Sequence, residues 1–166
     1  MQKNAPSLTL TTKQQRLVKA SFRKVERISD IAALSFYQRL FVLDPSLRAL
    51  FHADIEAQSK KLMQALKMVA EGIDRLPELL PAIESLGRRH LHYGVKDEHY
   101  ATVGKALLWS LEQALGQDFT EEAAAWAAAF ELLAITMKRA AATAGPVGDF
   151  AAASDPAKRR PEMVHP

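Results

Sequence analysis

Asp97-Glu98-His99-Tyr100-Ala101-Thr102-Val103-Gly104-Lys105-Ala106-Leu107-Leu108-Trp109-Ser110-Leu111-Glu112-Gln113-Ala114-Leu115-Gly116 is the stretch on which the fold turns. Its apolar side chains Tyr100, Val103, Leu107, Leu111 and Ala114 recur at three- and four-residue spacings. That places them along one face of a helix, not on the alternating faces of a strand. Asp97 is expected to cap this helix, because a carboxylate accepts hydrogen bonds from free N-terminal amides, and Gly116 to stop it.

The same period extends outward in both directions. Upstream, Pro77 and Pro81 interrupt the chain, and Pro81 is expected in the first turn of a helix running to His90 with Ile83, Leu86 and His90 facing inward. From about Glu56 a longer helix carries Leu62, Leu66, Val69 and Ile73, with Gln58 one turn ahead of Leu62 on the same side. Asp44-Pro45 starts a short helix ending at Leu50-Phe51. Before it, Asp30 is expected to cap a helix whose buried face is Ile31, Leu34, Tyr37, Leu40 and Phe41. Thr11 to Gln14 forms a capping box ahead of Leu17, Val18, Phe22 and Val25. Downstream, a last helix begins after Thr120, with Glu121 and Glu122 suiting its dipole, and buries Trp126, Phe130, Leu133 and Met137. The fold class is all-α, with six or seven helices of unequal length stacked irregularly. Residues 1–142 form the expected domain, and 143–166, rich in Ala, Gly and Pro without a periodic face, a disordered tail.

At 166 residues, 48% hydrophobic and 25% charged, the chain fits one soluble domain. No apolar run reaches the roughly 20 residues a bilayer-spanning helix needs, so no membrane insertion is expected. The first six residues show no export signal, and the cytoplasm is the expected compartment. The net charge of +3 is spread among acidic residues, and its one run, Lys158-Arg159-Arg160, lies in the tail, which argues against nucleic-acid binding. The absence of cysteine leaves His and carboxylates as the protein ligands open to a metal.

His90 is the residue with the most chemical promise. A histidine on a helix stripe is either a core residue whose ring nitrogens find partners or a metal ligand. Tyr37, Phe51, Gln58 and Leu62 are the residue types that would surround an iron-bearing flat cofactor: one nitrogen ligand, an apolar pocket and one or two polar groups opposite. Read singly, Phe51 and Leu62 are equally ordinary core, and Tyr37 a core aromatic with its hydroxyl satisfied locally.

Linked motifs then identify a family. Phe36-Tyr37-Gln38-Arg39-Leu40-Phe41 with Asp44-Pro45-Ser46-Leu47-Arg48-Ala49-Leu50-Phe51, Leu76-Pro77-Glu78-Leu79-Leu80-Pro81-Ala82-Ile83 leading to Arg88-Arg89-His90, and the block from Val95 to Leu108 resemble the globin module of bacterial flavohaemoglobins and single-domain haemoglobins. The resemblance spans about Leu8 to Ala142. It implies a globin fold around one haem b whose iron is bound by His90. It implies that the Tyr37 hydroxyl donates a hydrogen bond to bound O2, that Gln58 supports it, and that Tyr100 orients the axial imidazole. Phe51, Leu62, Val95, Val103 and Phe130 would line the cofactor, and Lys61 would meet a propionate or remain solvated. His92 reads as a solvent-facing or propionate-edge group, and His52, His99 and His165 as surface or tail residues.

Two departures qualify the resemblance. Flavohaemoglobins carry a proximal Glu near the end of the last helix, where this chain has Ala141. They also continue into flavin and nicotinamide domains, of which this sequence shows no phosphate loop or βαβ pattern. The implied function is reversible binding of O2, NO and CO, with nitric oxide dioxygenation through an external electron donor or reductase as the enzymatic extension. The alternatives are an O2 store or carrier and a haem-based sensor or interaction module. Gly94-Val95-Lys96 and Thr102-Val103-Gly104 also resemble neuroglobins. Gln58 is not a strong iron ligand, so an open or water-bound sixth position is expected, with Tyr37 a candidate ferric ligand.

Overall fold

A computed structural model describes residues 9–51, 54–116 and 119–143. The tail beyond Thr143, with its basic run and His165, lies outside the described residues, as does His52. The described chain is wholly helical: α1 (Thr12–Glu26), α2 (Ser29–Leu43), a 3-10 turn at Pro45–Leu50, α3 (Ile55–Gly72), a second 3-10 turn at Ile73–Arg75, α4 (Leu76–His92), α5 (Asp97–Leu115) and α6 (Glu121–Thr143).

Several ends form as their sequences dictate. The Thr11 hydroxyl accepts from the Gln14 amide at 3.0 Å while the Gln14 side chain accepts from the Thr11 amide at 2.9 Å, closing the capping box of α1. Asp44 accepts from the Ser46 amide at 3.0 Å, with Pro45 first in the 3-10 turn. Asp54 caps α3 by accepting from the Ala57 amide at 2.8 Å. Gly94 and Gly116 take the positive φ values, 92° and 77°, that favour glycine at helix exits.

Three expected details differ. Asp30 is not a cap: α2 starts from Ile28 without a side-chain cap, because the chain swings almost directly from α1 into α2 and leaves Asp30 inside the first turn, where its charge still suits the helix dipole. Asp97 is likewise the first residue of α5, preceded by Lys96, whose amide donates to Nδ1 of His99 at 2.9 Å. His99, expected at the surface, accepts this bond in an exposed setting. Pro81 lies inside α4; the earlier Pro77 takes the first-turn position, so the helix begins at Leu76 and accepts the loss of one backbone bond at Pro81.

The buried face of α2 also has a different phase. Ala32, Ala33, Phe36, Tyr37 and Leu40 are buried, whereas Ile31 is 68% and Leu34 48% exposed. Apolar residues almost encircle this helix, so two stripes satisfy the spacing. The one bearing Ala32 and Ala33 turns inward because small side chains let a neighbouring helix come close.

Two pairings dominate the packing, α4 with α6 and α2 with α5. At the first, a Cβ on Gly87 would meet the Met137 backbone, 2.6 Å from its Cα, so only glycine permits this approach. At the second, the Arg39 guanidinium lies over the Trp109 ring, 5.0 Å from its centroid. Gly104 lets α6 settle on α5: a Cβ there would come within 2.8 Å of the Phe130 ring. The main core gathers Val18, Phe22, Val25, Phe36, Leu40 and Trp126 among others, and Trp126 Nε1 donates to the buried Ser21 hydroxyl at 2.8 Å. A smaller cluster of Ile83, Tyr100, Ala134 and Met137 joins α4, α5 and α6.

Candidate functional site

The helical frame gathers the chemically interesting residues into two groups. On one side, Tyr37 projects from the inward face of α2, 3% exposed. Its ring meets Phe51 edge-on, with centroids 5.4 Å apart, and Phe51 meets Phe41 at 5.6 Å. The Tyr37 hydroxyl donates to the backbone carbonyl of Gln58, in the first turns of α3, across a long 3.4 Å. Burial pushes the phenol up to about 12, partly opposed by hydrogen bonding with the Gln58 side chain. Tyr37 therefore stays a donor across the physiological range, and its present bond is weak enough to yield to a better acceptor. Leu62, one turn beyond Gln58, is partly buried against the same core.

On the other side, His90 lies in the last turns of α4. Its Nδ1 donates to the Leu86 carbonyl at 2.8 Å, one turn back. This bond consumes the Nδ1 proton of the neutral ring and leaves the Nε2 lone pair as the donor atom for a metal. Burial lowers the imidazole pKa, against the raising effect of the Leu86 bond, and the Arg89 charge lowers it further. A neutral ring is the form that binds iron. Tyr100, 8% exposed, is raised by burial first and by the Asp97 charge second. Leu86, Val95 and Phe130 pack around the cluster that contains Tyr100. Val103, on the same helix, packs against the main core. Lys61 is exposed and forms no ion pair among the described residues.

The fit to haem rests on what these residues leave unsatisfied. Among the described residues the buried Nε of Arg89 and Nδ1 of His92 have no hydrogen-bond partner and lie within two residues of His90, and Nε of Arg39 on α2 likewise has none. A pair of carboxylates beside the axial ligand, such as haem propionates, would satisfy donors of this kind. Phe51, Leu62, Leu66, Leu86, Val95, Val103, Phe130 and Leu133 are all apolar and only partly buried, consistent with faces made to enclose a flat apolar group. Among the described residues no three His, Asp or Glu side chains converge, so His90 would act as a single protein ligand to iron otherwise held by a porphyrin.

Sequence reading did not find the Leu86 carbonyl, although its position four residues before His90 on a helix is the geometric signal for it. It also missed Gly87 and Gly104, whose need to be glycine arises only from packing between helices, and the placement of Lys138, whose ammonium lies over the Tyr100 ring.

This all-helical stack, with His90 on α4 and with Tyr37 on α2 bonded to Gln58 on α3, has the architecture of a globin. The chain belongs to the globin family, whose profile matches residues 34–137. It is 38% identical over 129 residues to a flavohemoprotein of Bordetella parapertussis, covering 75% of this chain and 32% of that protein. It is 34% identical over 122 residues to a globin-like protein of Aquifex aeolicus, covering 74% of this chain and 87% of that protein. Among solved structures it resembles an engineered carbene transferase, a provisionally assigned nitric oxide dioxygenase from Rhodothermus marinus. That match has a TM-score of 0.73 at 32% identity and covers 81% of this chain and 94% of the other. The chain thus spans about a third of the length of the flavohemoprotein it matches, and most of the length of the two shorter proteins. Among the described residues no helix is long and apolar enough to cross a membrane.

Proposed function

We propose that this chain binds haem b with Nε2 of His90 as the axial ligand and reversibly binds O2, NO and CO on the side of Tyr37 and Gln58. We further propose that it converts nitric oxide to nitrate in the cytoplasm when an external reductase supplies electrons. The observation that carries the reading is the 2.8 Å bond from His90 Nδ1 to the Leu86 carbonyl, which fixes the ring as an Nε2 donor. Haem, when bound, supplies the iron at which diatomic gases add and at which NO and O2 combine.

The chain's own residues do the rest. The Tyr37 hydroxyl turns from its long bond with Gln58 toward a ligand that gathers negative charge, and a charge-assisted bond there is worth about 1.5–3 kcal/mol. Gln58 holds Tyr37 on the pocket side. Phe51, Leu62, Val95, Val103 and Phe130 line the cofactor and exclude water, and Tyr100 packs behind the axial histidine. Lys61 reaches toward a propionate at the rim. Combining one NO with one O2 to give nitrate consumes one electron per turnover, hence the external donor.

The test is a visible spectrum of the purified chain with and without dithionite and CO, repeated for His90→Ala. A Soret band that shifts with CO in the wild type and collapses in the variant is expected. No Soret band would overturn the haem reading, and an unchanged CO complex in His90→Ala would overturn the ligand assignment. Reaction of the oxygenated protein with NO should yield nitrate. Failure to do so would leave an O2 store or carrier.

A further inference from the structure

We infer that Lys138 is a positioning residue for the axial side of the site: its ammonium, lying over Tyr100, places a fixed positive charge behind His90 and makes the bound iron easier to reduce. The inference rests on the haem reading above. Lys138 lies on α6, partly buried, with Nζ 5.3 Å from the centroid of the Tyr100 ring. The negative face of an aromatic ring attracts a cation at this distance, so the contact fixes the charge where a solvated lysine would wander. Lys138 forms no ion pair among the described residues that would neutralise it.

Tyr100 carries the contact toward α4, the helix that bears His90. Its ring is buried in the cluster with Ile83, Ala134 and Met137, and Leu86, whose carbonyl holds His90 Nδ1, packs against the same cluster. Of the neighbouring charges, Arg89 acts on His90 and Asp97 on Tyr100. The partner of His90 Nδ1 is a neutral carbonyl, so no carboxylate pushes electron density into the ring through that bond. Positive charge near a metal centre favours its less positive, reduced form, and this effect survives in a partly buried setting where solvent screens little.

The test uses the full chain with haem, comparing wild type with Lys138→Met, Lys138→Glu and Lys138→Arg. Two readouts are needed: the midpoint potential by spectroelectrochemistry and the iron–histidine stretching frequency of the ferrous protein by resonance Raman. Lys138→Met should shift the reduction equilibrium several-fold toward the oxidised form. Lys138→Glu should shift it further, on the order of tenfold, which for a one-electron couple is about 59 mV. The stretching frequency should rise in the same order, and Lys138→Arg should behave as wild type. Equal potentials in wild type and Lys138→Met, with His90 still bound to the iron, would overturn this inference alone. A wild-type chain without a haem spectrum would overturn the haem reading and this inference with it. Because Met nearly matches Lys in volume, the Met comparison decides the matter even if the Glu variant folds poorly.

Discussion

His90 Nδ1 lies 2.8 Å from the carbonyl oxygen of Leu86, so one turn of α4 both anchors the imidazole and selects its tautomer. Burial nonetheless lowers the pKa of the ring below the usual histidine value of 6.5. The unfolded chain therefore binds more protons than the folded one near this value, and stability rises with pH. The haem-free protein should gain thermal stability as pH rises to about 6.5 and lose it as pH falls below. Asp74, held below the usual carboxylate range by Lys19, adds its own loss only at more acid pH. His90→Gln should flatten the melting temperature between pH 5 and 7, which calorimetry of both proteins would check; an unchanged slope would mean another group titrates.

Gly87 sits three residues before His90 and against the Met137 backbone. Gly87→Ala would drive a Cβ into Met137 main-chain atoms, and main chain within a helix does not yield as a flexible side chain would. The expected cost is about 1–3 kcal/mol of folding stability. Relief can come only by moving α4 away from α6, and α4 carries the axial histidine. The variant should therefore also lose haem faster to an acceptor protein. Urea unfolding and haem-transfer kinetics would show both effects; a stability loss with unchanged haem release would confine the contact to packing.

How legible each feature was depended on the range of the interaction behind it. The α1 capping box could be read directly, because Thr11 and Gln14 satisfy each other across three residues. The inward face of α2 could not, because Ile31, Leu34, Ala32 and Ala33 all offer apolar stripes and only the fit against α5 chooses between them. The start of α4 is ambiguous by sequence, because either of two prolines four residues apart suits a first turn. In the candidate site, His90, Tyr37 and Gln58 stood out as residue types at matching positions. The Leu86 carbonyl carries no side-chain signature, and the Lys138 contact joins α6 to a Tyr100 that lies nearly forty residues earlier in the chain.

Ser21 and Trp126 give a prediction that separates stability from function. The indole Nε1 donates to the Ser21 hydroxyl at 2.8 Å, and that hydroxyl also donates to the Leu17 carbonyl at 2.6 Å, all within the main core away from His90. Ser21→Ala would leave the buried indole N–H unsatisfied, costing about 1–3 kcal/mol. Chemical denaturation should show this loss while the CO-complex spectrum and O2 release stay as in wild type. A Trp126→Phe partner variant should lose less in the Ser21→Ala background than alone, as expected of two residues sharing one bond.

Tyr37 and Gln58 make the sharpest test of the gas site. The Tyr37 hydroxyl reaches the Gln58 backbone carbonyl at 3.4 Å, a bond long enough that its loss should barely alter folding. Tyr37→Phe keeps the ring packing with Phe51 and removes only the donor. If that donor stabilises bound O2 by about 1.5–3 kcal/mol, O2 dissociation should accelerate roughly 10- to 150-fold in stopped-flow measurements, while the melting temperature stays close to wild type. CO carries less negative charge when bound, so its release should change less than that of O2. Gln58→Leu keeps the backbone carbonyl but removes the side-chain amide, so it should raise the O2 rate by a smaller factor than Tyr37→Phe. Equal rates for wild type and Tyr37→Phe would show that the phenol does not touch the ligand. A larger effect from Gln58→Leu would transfer the donor role to the amide.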